Sequence, residues 1–316
     1  YLGLAFGPFF GGMLTQMFGW QSIFYLATLL GAVASIFAFL YLEEDSLKKI
    51  TLKKMDIKGA FLYMAGLILL VYGSSHIPSL KGWISLILGV IALILFLTVE
   101  HTIESPILNI KLLTKNRLFA YSNLAALINY SATYAIIFLL SLYLQKIQAL
   151  SPRNAGVILI AQPIVMALFS PLTGRLSDKI QPRFLSSAGM ALCSTGLLSF
   201  AFLEADTPLW FIVVTLIWVG FGFALFSSPN MNTIMSSVEK SDYGLASGTA
   251  STMRVLGQIT SMTVVTILFA VLFDGQTIEQ IDNSLFIKMT RLGFALFSVI
   301  CFAGIYFSYN RGKIVR

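Results

Sequence analysis

Gly3-Leu-Ala-Phe-Gly7-Pro8-Phe-Phe-Gly11-Gly12 packs four glycines and one proline into ten otherwise apolar residues. On a helix, Gly3, Gly7 and Gly11 recur every fourth position and strip one face of side chains, so that another backbone can approach closely. Soluble helices rarely tolerate that density. In lipid such a face is a packing seam, and neighbouring helices can satisfy the backbone groups that Pro8 frees. The stretch therefore reads as part of a membrane-embedded helix. Tyr1 already lies inside this apolar run, so part of a helix is expected to precede it, and the chain reads as a fragment.

The composition extends that reading to the whole chain. Over 316 residues, 57% are hydrophobic and 11% charged, with mean hydropathy +0.83, whereas a soluble domain carries about 25% charged residues. No basic segment precedes the first apolar run, so no cleavable signal pattern is present. Cys193 and Cys301 both sit in apolar segments, which suits buried thiols better than a disulfide or metal site. No nucleophile and base set or metal-ligand cluster points to an enzyme, and no cofactor is implied.

Apolar runs of about 20 residues bounded by polar punctuation predict an all-α polytopic membrane protein with about ten spans. These are Tyr1–Leu14, Trp20–Leu42, Ile57–Gly73, Trp83–Val99, Leu118–Leu144, Ala155–Thr173, Phe184–Leu203, Leu209–Ser237, Leu245–Phe273 and Arg291–Tyr309. Fifteen Lys and Arg residues fall in one set of alternate loops and the C-terminal tail, among them Lys48, Lys58, Arg183 and Arg311. Five fall in the opposite set: Lys81, Lys146, Arg153, Lys288 and Arg291. The bias places the C-terminus in the cytoplasm and makes the net charge of +7 topological, with no nucleic-acid partner needed. Trp20, Trp83 and Trp210 then begin spans at the outer interface.

Two links are longer than the rest. Glu43–Lys58 is charge-dense and reads as a solvated hinge that also fixes orientation. Glu100–Arg117 alternates Ile107, Leu108, Ile110, Leu112 and Leu113 with Lys111, Lys115 and Arg117, the pattern of a short amphipathic helix on the membrane surface. It introduces six spans, which suggests a transporter half-bundle built from three-helix repeats. The expected division is 1–42, the end of one bundle; 43–117, a linker with two extra helices and the surface segment; and 118–316, the six-helix bundle.

The link Gly174-Arg175-Leu176-Ser177-Asp178-Lys179-Ile180-Gln181-Pro182-Arg183 resembles the G-x-L-a-D-R/K-x-G-R/K-R/K signature of the major facilitator superfamily. It keeps Gly174, Leu176, Asp178, Lys179 and Arg183, with Gln181 where glycine is usual and Pro182 where a base is usual. The opening stretch is similar to the antiporter motif g-x-x-x-G-P-x-x-G-G of exporters in that superfamily, through Gly3, Gly7, Pro8, Gly11 and Gly12. Asp56-x-x-Gly59-x-x-Leu62, together with Ser228-Pro229-Asn230, Gly244-x-x-Ser247-Gly248 and Arg254-x-x-Gly257, resembles the fourteen-helix drug:proton antiporter branch of EmrB/QacA type. The resemblance implies that the first span here corresponds to the fifth helix of such a protein, and that helices one to four lie before Tyr1.

For Gly174–Arg183 the resemblance implies a cytoplasmic gate; an orientation-setting basic turn is the plainer reading. Arg254 is the one clear intramembrane charge, for coupling or gating on one reading and as a snorkelling anchor on the other. In the superfamily the first and fourth helices of each half line the central cavity. That points to Asn123, Asn129, Tyr130 and Tyr134 on the 118–144 span, and to Trp218, Asn230 and Asn232 on the 209–237 span, with interhelical hydrogen bonding as the alternative. Gln162-Pro163 reads as a kink or a packing feature. No Asp or Glu lies mid-span, so a coupling carboxylate is expected before Tyr1.

The reading is a proton-coupled exporter of small amphiphilic or lipophilic compounds, working by alternating access. It is a monomer in a prokaryotic plasma membrane, its partners the bilayer, a small-molecule substrate and H+. One alternative is an exporter of a dedicated metabolite, such as an amino acid, siderophore or lipid. Another, from a different class, is a non-transporting receptor or scaffold, or an inert truncation.

Overall fold

The computed structural model describes residues 2–41, 56–103, 106, 108, 110–273, 278 and 280–313. Most of the charged connector, including Lys48, Lys49, Lys53 and Lys54, lies outside these residues, as do Asp274 and Arg316, the surroundings of Gly3 and Pro8, and the Lys111 side chain. The described residues form helices and no strand.

In chain order the helices are α1 (Leu2–Phe18), α2 (Gln21–Tyr41), α3 (Ile57–Ser75), α4 (Leu80–Glu100), the short α5 (Ile110–Lys115), α6 (Arg117–Thr133), α7 (Ala135–Lys146), α8 (Pro152–Leu159), α9 (Ala161–Ser177), α10 (Pro182–Phe200), α11 (Leu209–Ser236), α12 (Tyr243–Phe273) and α13 (Asn283–Asn310). Eight of the described stretches are long and apolar enough to cross a bilayer, with α6–α7 and α8–α9 each counting as one. The two remaining predicted spans are α1, 17 residues long, and α10, which carries Arg183 and a run of Ser, Gly and Thr.

Each broken span has an identifiable cause, one within its own sequence and one on another helix. Pro163 has no N–H to donate to the Leu159 carbonyl, and the ladder of the second broken span is interrupted at Ile160. In the first, the Ala135 amide leaves its own helix and donates to the Ser261 hydroxyl on α12 at 3.1 Å, so α6 ends at Thr133 and α7 begins. A neighbouring side chain thus takes over a backbone donor that the helix would otherwise satisfy.

Three expectations are corrected. The last span starts at Asn283 rather than Arg291, because the Asp282 carboxylate accepts from the Ser284 amide at 3.0 Å and caps the helix. Lys288 and Arg291 are therefore helical, and Arg291 Nε donates to the Ala201 carbonyl at 3.0 Å. Between α4 and α6, the described residues of the surface segment are helical over the six residues of α5; ahead of it Leu108 is buried rather than on a membrane-facing surface, and its amide donates to Glu100 Oε2 at 3.2 Å. Finally, Arg311 is 1% exposed instead of lying free in a basic tail.

Within α6–α13 the packing exchanges under a swap of α6–α10 with α11–α13. The span α6–α7 packs on α12 as α11 packs on α9, and α6 packs on α13 as α11 packs on α10. Both intimate crossings have a glycine at the contact. A Cβ on Gly257 would lie 2.6 Å from the Leu127 carbonyl oxygen, and one on Gly220 would lie 2.6 Å from that of Gln162. This is the pattern of two inverted three-helix repeats. The core between them is apolar and aromatic, with Phe200 and Phe294 at 5.1 Å between ring centroids and Tyr143, Phe286 and Phe297 fully buried.

The earlier helices attach to this bundle at separate places. α1 packs on α8 and α9. A Cβ on Gly12 would stand 2.5 Å from the Pro152 carbonyl oxygen, so only glycine permits that approach. By contrast Gly7 is exposed with nothing within 4 Å, and Gly11 meets only the tip of Ile23. α3 and α4 pack on each other and reach the bundle through α12. Asp56 caps α3 by accepting from the Gly59 amide at 2.8 Å, and a Cβ at Gly59 would also approach Glu100 Oε1 to 2.9 Å. That crowding gives the D-x-x-G spacing its physical reason.

Candidate functional site

A chamber of about 710 Å³ opens among α6, α11 and α12, with Ser170 of α9 at its edge. From α6 come Ala126 and Tyr130; from α11, Phe223, Phe226, Ser227, Ser228 and Asn230; from α12, Ala250, Ser251, Arg254, Val255 and Gln258. The Tyr130 ring meets the Phe223 ring edge-on at 5.4 Å. The wall thus combines aromatic faces with hydroxyl and amide groups and one formal charge, the mixture that orients a small amphiphilic molecule.

Arg254 projects exposed into this space. It forms no ion pair or hydrogen bond among the described residues. Ser251 and Gln258 lie three residues before it and four after, on the same face. Sequence reasoning found Arg254 and missed these two neighbours, although the polar stripe they make at helical spacing was there to be read.

Asn230 has a double role. Its side chain reaches the chamber, yet Nδ2 donates to the Ser122 carbonyl at 3.1 Å and Oδ1 accepts from Arg311 Nη1 at 2.6 Å. Arg311 also donates from Nη1 to Ser122 Oγ at 3.3 Å and from Nη2 to the Pro182 carbonyl at 2.9 Å. One guanidinium therefore ties the ends of α6, α10, α11 and α13 together. Its partners are all uncharged, and burial pulls the guanidinium down from the usual arginine range to about 9.

The remaining candidates lie elsewhere. Asn123 is fully buried and donates to the Phe119 carbonyl at 2.9 Å. Asn129 is fully buried beside the Cys193 thiol. Trp218 donates from Nε1 to Thr195 Oγ1 at 3.0 Å, on the α10 side of α11 and off the chamber wall. Tyr134 lines a separate groove between α3 and α12. Asn232 donates to Ser177 Oγ at 3.0 Å. Cys193 and Cys301 are free and buried.

The Gly174–Arg183 link does not converge on one contact. Asp178 ends α9 and borders a hollow of about 430 Å³ that also touches Asn232, Met235 and Tyr243. Arg183 turns instead toward α13, its guanidinium 4.6 Å from the Phe184 ring centroid and 5.6 Å from that of Tyr309. Lys179 and Leu176 are exposed, and a Cβ on Gly174 would reach Ser228 Oγ at 3.0 Å. The link is held against α11 by Asn232 and Ser177, and by the Thr173 hydroxyl donating to the Ala224 carbonyl at 2.9 Å.

Membrane-length helices, inverted three-helix repeats and a central mixed-polarity chamber define a polytopic membrane protein of the transporter type. The Major Facilitator Superfamily profile matches residues 1–262, and the chain belongs to that family, whose members are transporters rather than enzymes. It is 29% identical over 307 residues to the riboflavin transporter RibZ of Clostridioides difficile, covering 96% of this chain and 66% of that protein. It is 28% identical over 277 residues to the multidrug resistance protein Stp of Mycobacterium tuberculosis, covering 86% and 49%. To the methylenomycin A resistance protein of Bacillus subtilis it is 30% identical over 267 residues, covering 82% and 56%. The chain therefore spans about half to two thirds of the length of these relatives.

Proposed function

We propose that the chain forms the part of a fourteen-helix drug:proton antiporter that runs from its fifth helix onward, and that the whole protein exports small amphiphilic or lipophilic compounds by alternating access. In this reading residues 1–42 end the first bundle, 43–117 hold the linker and the two extra helices, and 118–316 are the second bundle. The C-terminus is cytoplasmic, in a prokaryotic plasma membrane. The observation that carries the reading is the chamber: Tyr130 and Phe223 offer ring faces, Gln258 and Ser251 offer hydrogen bonds, and no fixed acid stands in its described wall. The approach of α1 to α8 at Gly12 supports the directional role of the opening motif, since it closes the backbone of one bundle against the other. Arg254 is the proposed coupling or substrate-contacting charge, and Asp178 with the basic residues around it the proposed gate.

Drug accumulation in cells expressing the full-length protein, with and without a protonophore, tests this. Lower accumulation that the protonophore restores is the expected result; unchanged accumulation across neutral, anionic and cationic drugs contradicts it. A dedicated metabolite is the second reading, favoured by the hydroxyl and amide density of the wall and by the relative named as a riboflavin transporter. Cellular flavin content measured in the same cells separates the two.

A further inference from the structure

Asp56, Gly59 and Leu62 recur every third position on one side of the start of α3, and all three meet a single junction. Asp56 caps the helix through the Gly59 amide at 2.8 Å. Lacking a Cβ, Gly59 leaves room for Glu100, which is buried and accepts from the Leu108 amide at 3.2 Å. Leu62 then packs on a buried cluster of Phe96 from α4, Leu108 from the segment before α5 and Met253 from α12. The Tyr63 and Phe96 ring centroids lie 5.3 Å apart beside it.

Behind this junction α3 and α4 are closed on each other backbone to backbone. A Cβ on Gly66 would lie 3.3 Å from the Gly89 carbonyl oxygen, and one on Gly73 would lie 2.9 Å from that of Gly82. Little side chain stands between the two helices to rearrange, so the pair acts as one body.

α12 is gripped at the same level from two sides. Met253 is buried in the cluster. One turn later Gly257 seats on α6, where a Cβ would lie 2.6 Å from the Leu127 carbonyl oxygen and 3.0 Å from the Ser131 amide nitrogen. Leu127 also borders the cluster. At about 100° per residue, Met253 and Gly257 lie about 40° apart on the helix circumference, and Ser251, Arg254 and Gln258 are centred about 110° further round. Burying the first pair therefore turns the second set into the chamber, whose wall contains all three. Gly257 fixes how closely α12 approaches α6, but a glycine has no side chain to interlock and sets rotation poorly. Met253 supplies that side chain.

We infer that the α3–α4 pair, with the segment before α5, is a positioning brace for Arg254: Leu62, Phe96 and Leu108 seat Met253, and the seat fixes the rotation of α12 that aims the guanidinium into the chamber. Met253 is the positioning residue, and Arg254 is the group it serves. This role rests on the proposed transport reading only in taking Arg254 as a charge that transport needs.

The test uses the full-length protein in inverted membrane vesicles and an anionic amphiphilic probe. Phe96→Ala should lower probe uptake about tenfold, Phe96→Leu should restore most of it, and Phe96→Ala should cost nothing further on the residual uptake of Arg254→Gln. No loss from Phe96→Ala, or an equal loss with and without Arg254→Gln, overturns the brace. Met253→Ala opens the same seat from the α12 side and takes the place of Phe96→Ala if that variant does not fold. A second readout needs no transport and decides the matter if Arg254→Gln leaves no uptake. Ser251→Cys, on the chamber face of α12, should react several-fold more slowly with a water-soluble maleimide when Phe96→Ala is added. Ser35→Cys on α2, which is exposed, should react at the same rate with or without it. An unchanged rate at Ser251→Cys, or the same change at both positions, overturns the brace. A wild type that transports no probe, with Ser251→Cys slowed as expected, counts against the proposed function and leaves the brace standing.

Discussion

Arg254 and Arg311 carry the same charge and meet opposite surroundings. Arg311 is buried among Asn230, Ser122 and the Pro182 carbonyl, so its removal leaves several buried polar groups without their partner. Arg311→Leu should cost about 1–3 kcal/mol, read as a lower unfolding temperature in detergent. Arg311→Lys should restore only part of it, because an ammonium cannot reproduce the planar fork. An unfolding temperature unchanged in Arg311→Leu would show that the cluster adds no stability. Arg254 is exposed in the chamber without such partners, so Arg254→Gln should hold stability within about 0.5 kcal/mol while export drops. A large stability loss there would make it a structural anchor. Only one of the two was legible in the sequence. An arginine deep in an apolar run announces itself, whereas one just past the end of a helix looks like any tail charge, and nothing local says that it folds back against α6 and α11. Trp218 shows the converse: its span was read correctly, but its face depended on how α11 packs against Thr195 of the preceding helix, α10.

At the scale of elements, nearly every helix was visible as an apolar run, because lipid forces the backbone to satisfy itself within each span. The exceptions were set by single polar groups. The start of α13 was hidden by Lys288 and Arg291, which look like loop charges, although the Asp282 cap ahead of them was a readable signal. The Pro163 interruption was foreseeable from the sequence. The α6–α7 break was not, since its cause is a hydroxyl on α12. Ser261→Ala should therefore expose the Ala135 amide and raise its hydrogen-exchange rate by about tenfold or more, with smaller changes elsewhere in α7. If exchange at Ala135 does not change, another acceptor satisfies that amide and Ser261 does not cause the break. The chamber was half legible: Tyr130, Asn230 and Arg254 stood out as polar residues in apolar runs, and the Ser251–Arg254–Gln258 stripe was readable from its spacing, whereas Ser227 gained significance only once α11 and α12 were placed side by side.

For the whole molecule, orientation and direction of transport are the consequences that matter. If the basic loops face the cytoplasm, the turn between α3 and α4 lies outside. Ser79→Cys should then react with an impermeant thiol reagent in intact cells, and Lys313→Cys only after permeabilisation; the reverse pattern would invert the topology. In the proposed reading, two inverted repeats around one chamber are half of an alternating-access device, and the other half meets it where α1 packs on α8 at Gly12. In the proposed function this device moves amphiphilic compounds outward against proton entry. The most direct measurement is probe uptake into inverted membrane vesicles containing the full-length protein, with an imposed proton gradient, acid inside. Gradient-dependent uptake that a protonophore abolishes and that Arg254→Gln reduces is the expected result. Uptake that is the same with and without the gradient, or no uptake across neutral, anionic and cationic probes, would contradict it.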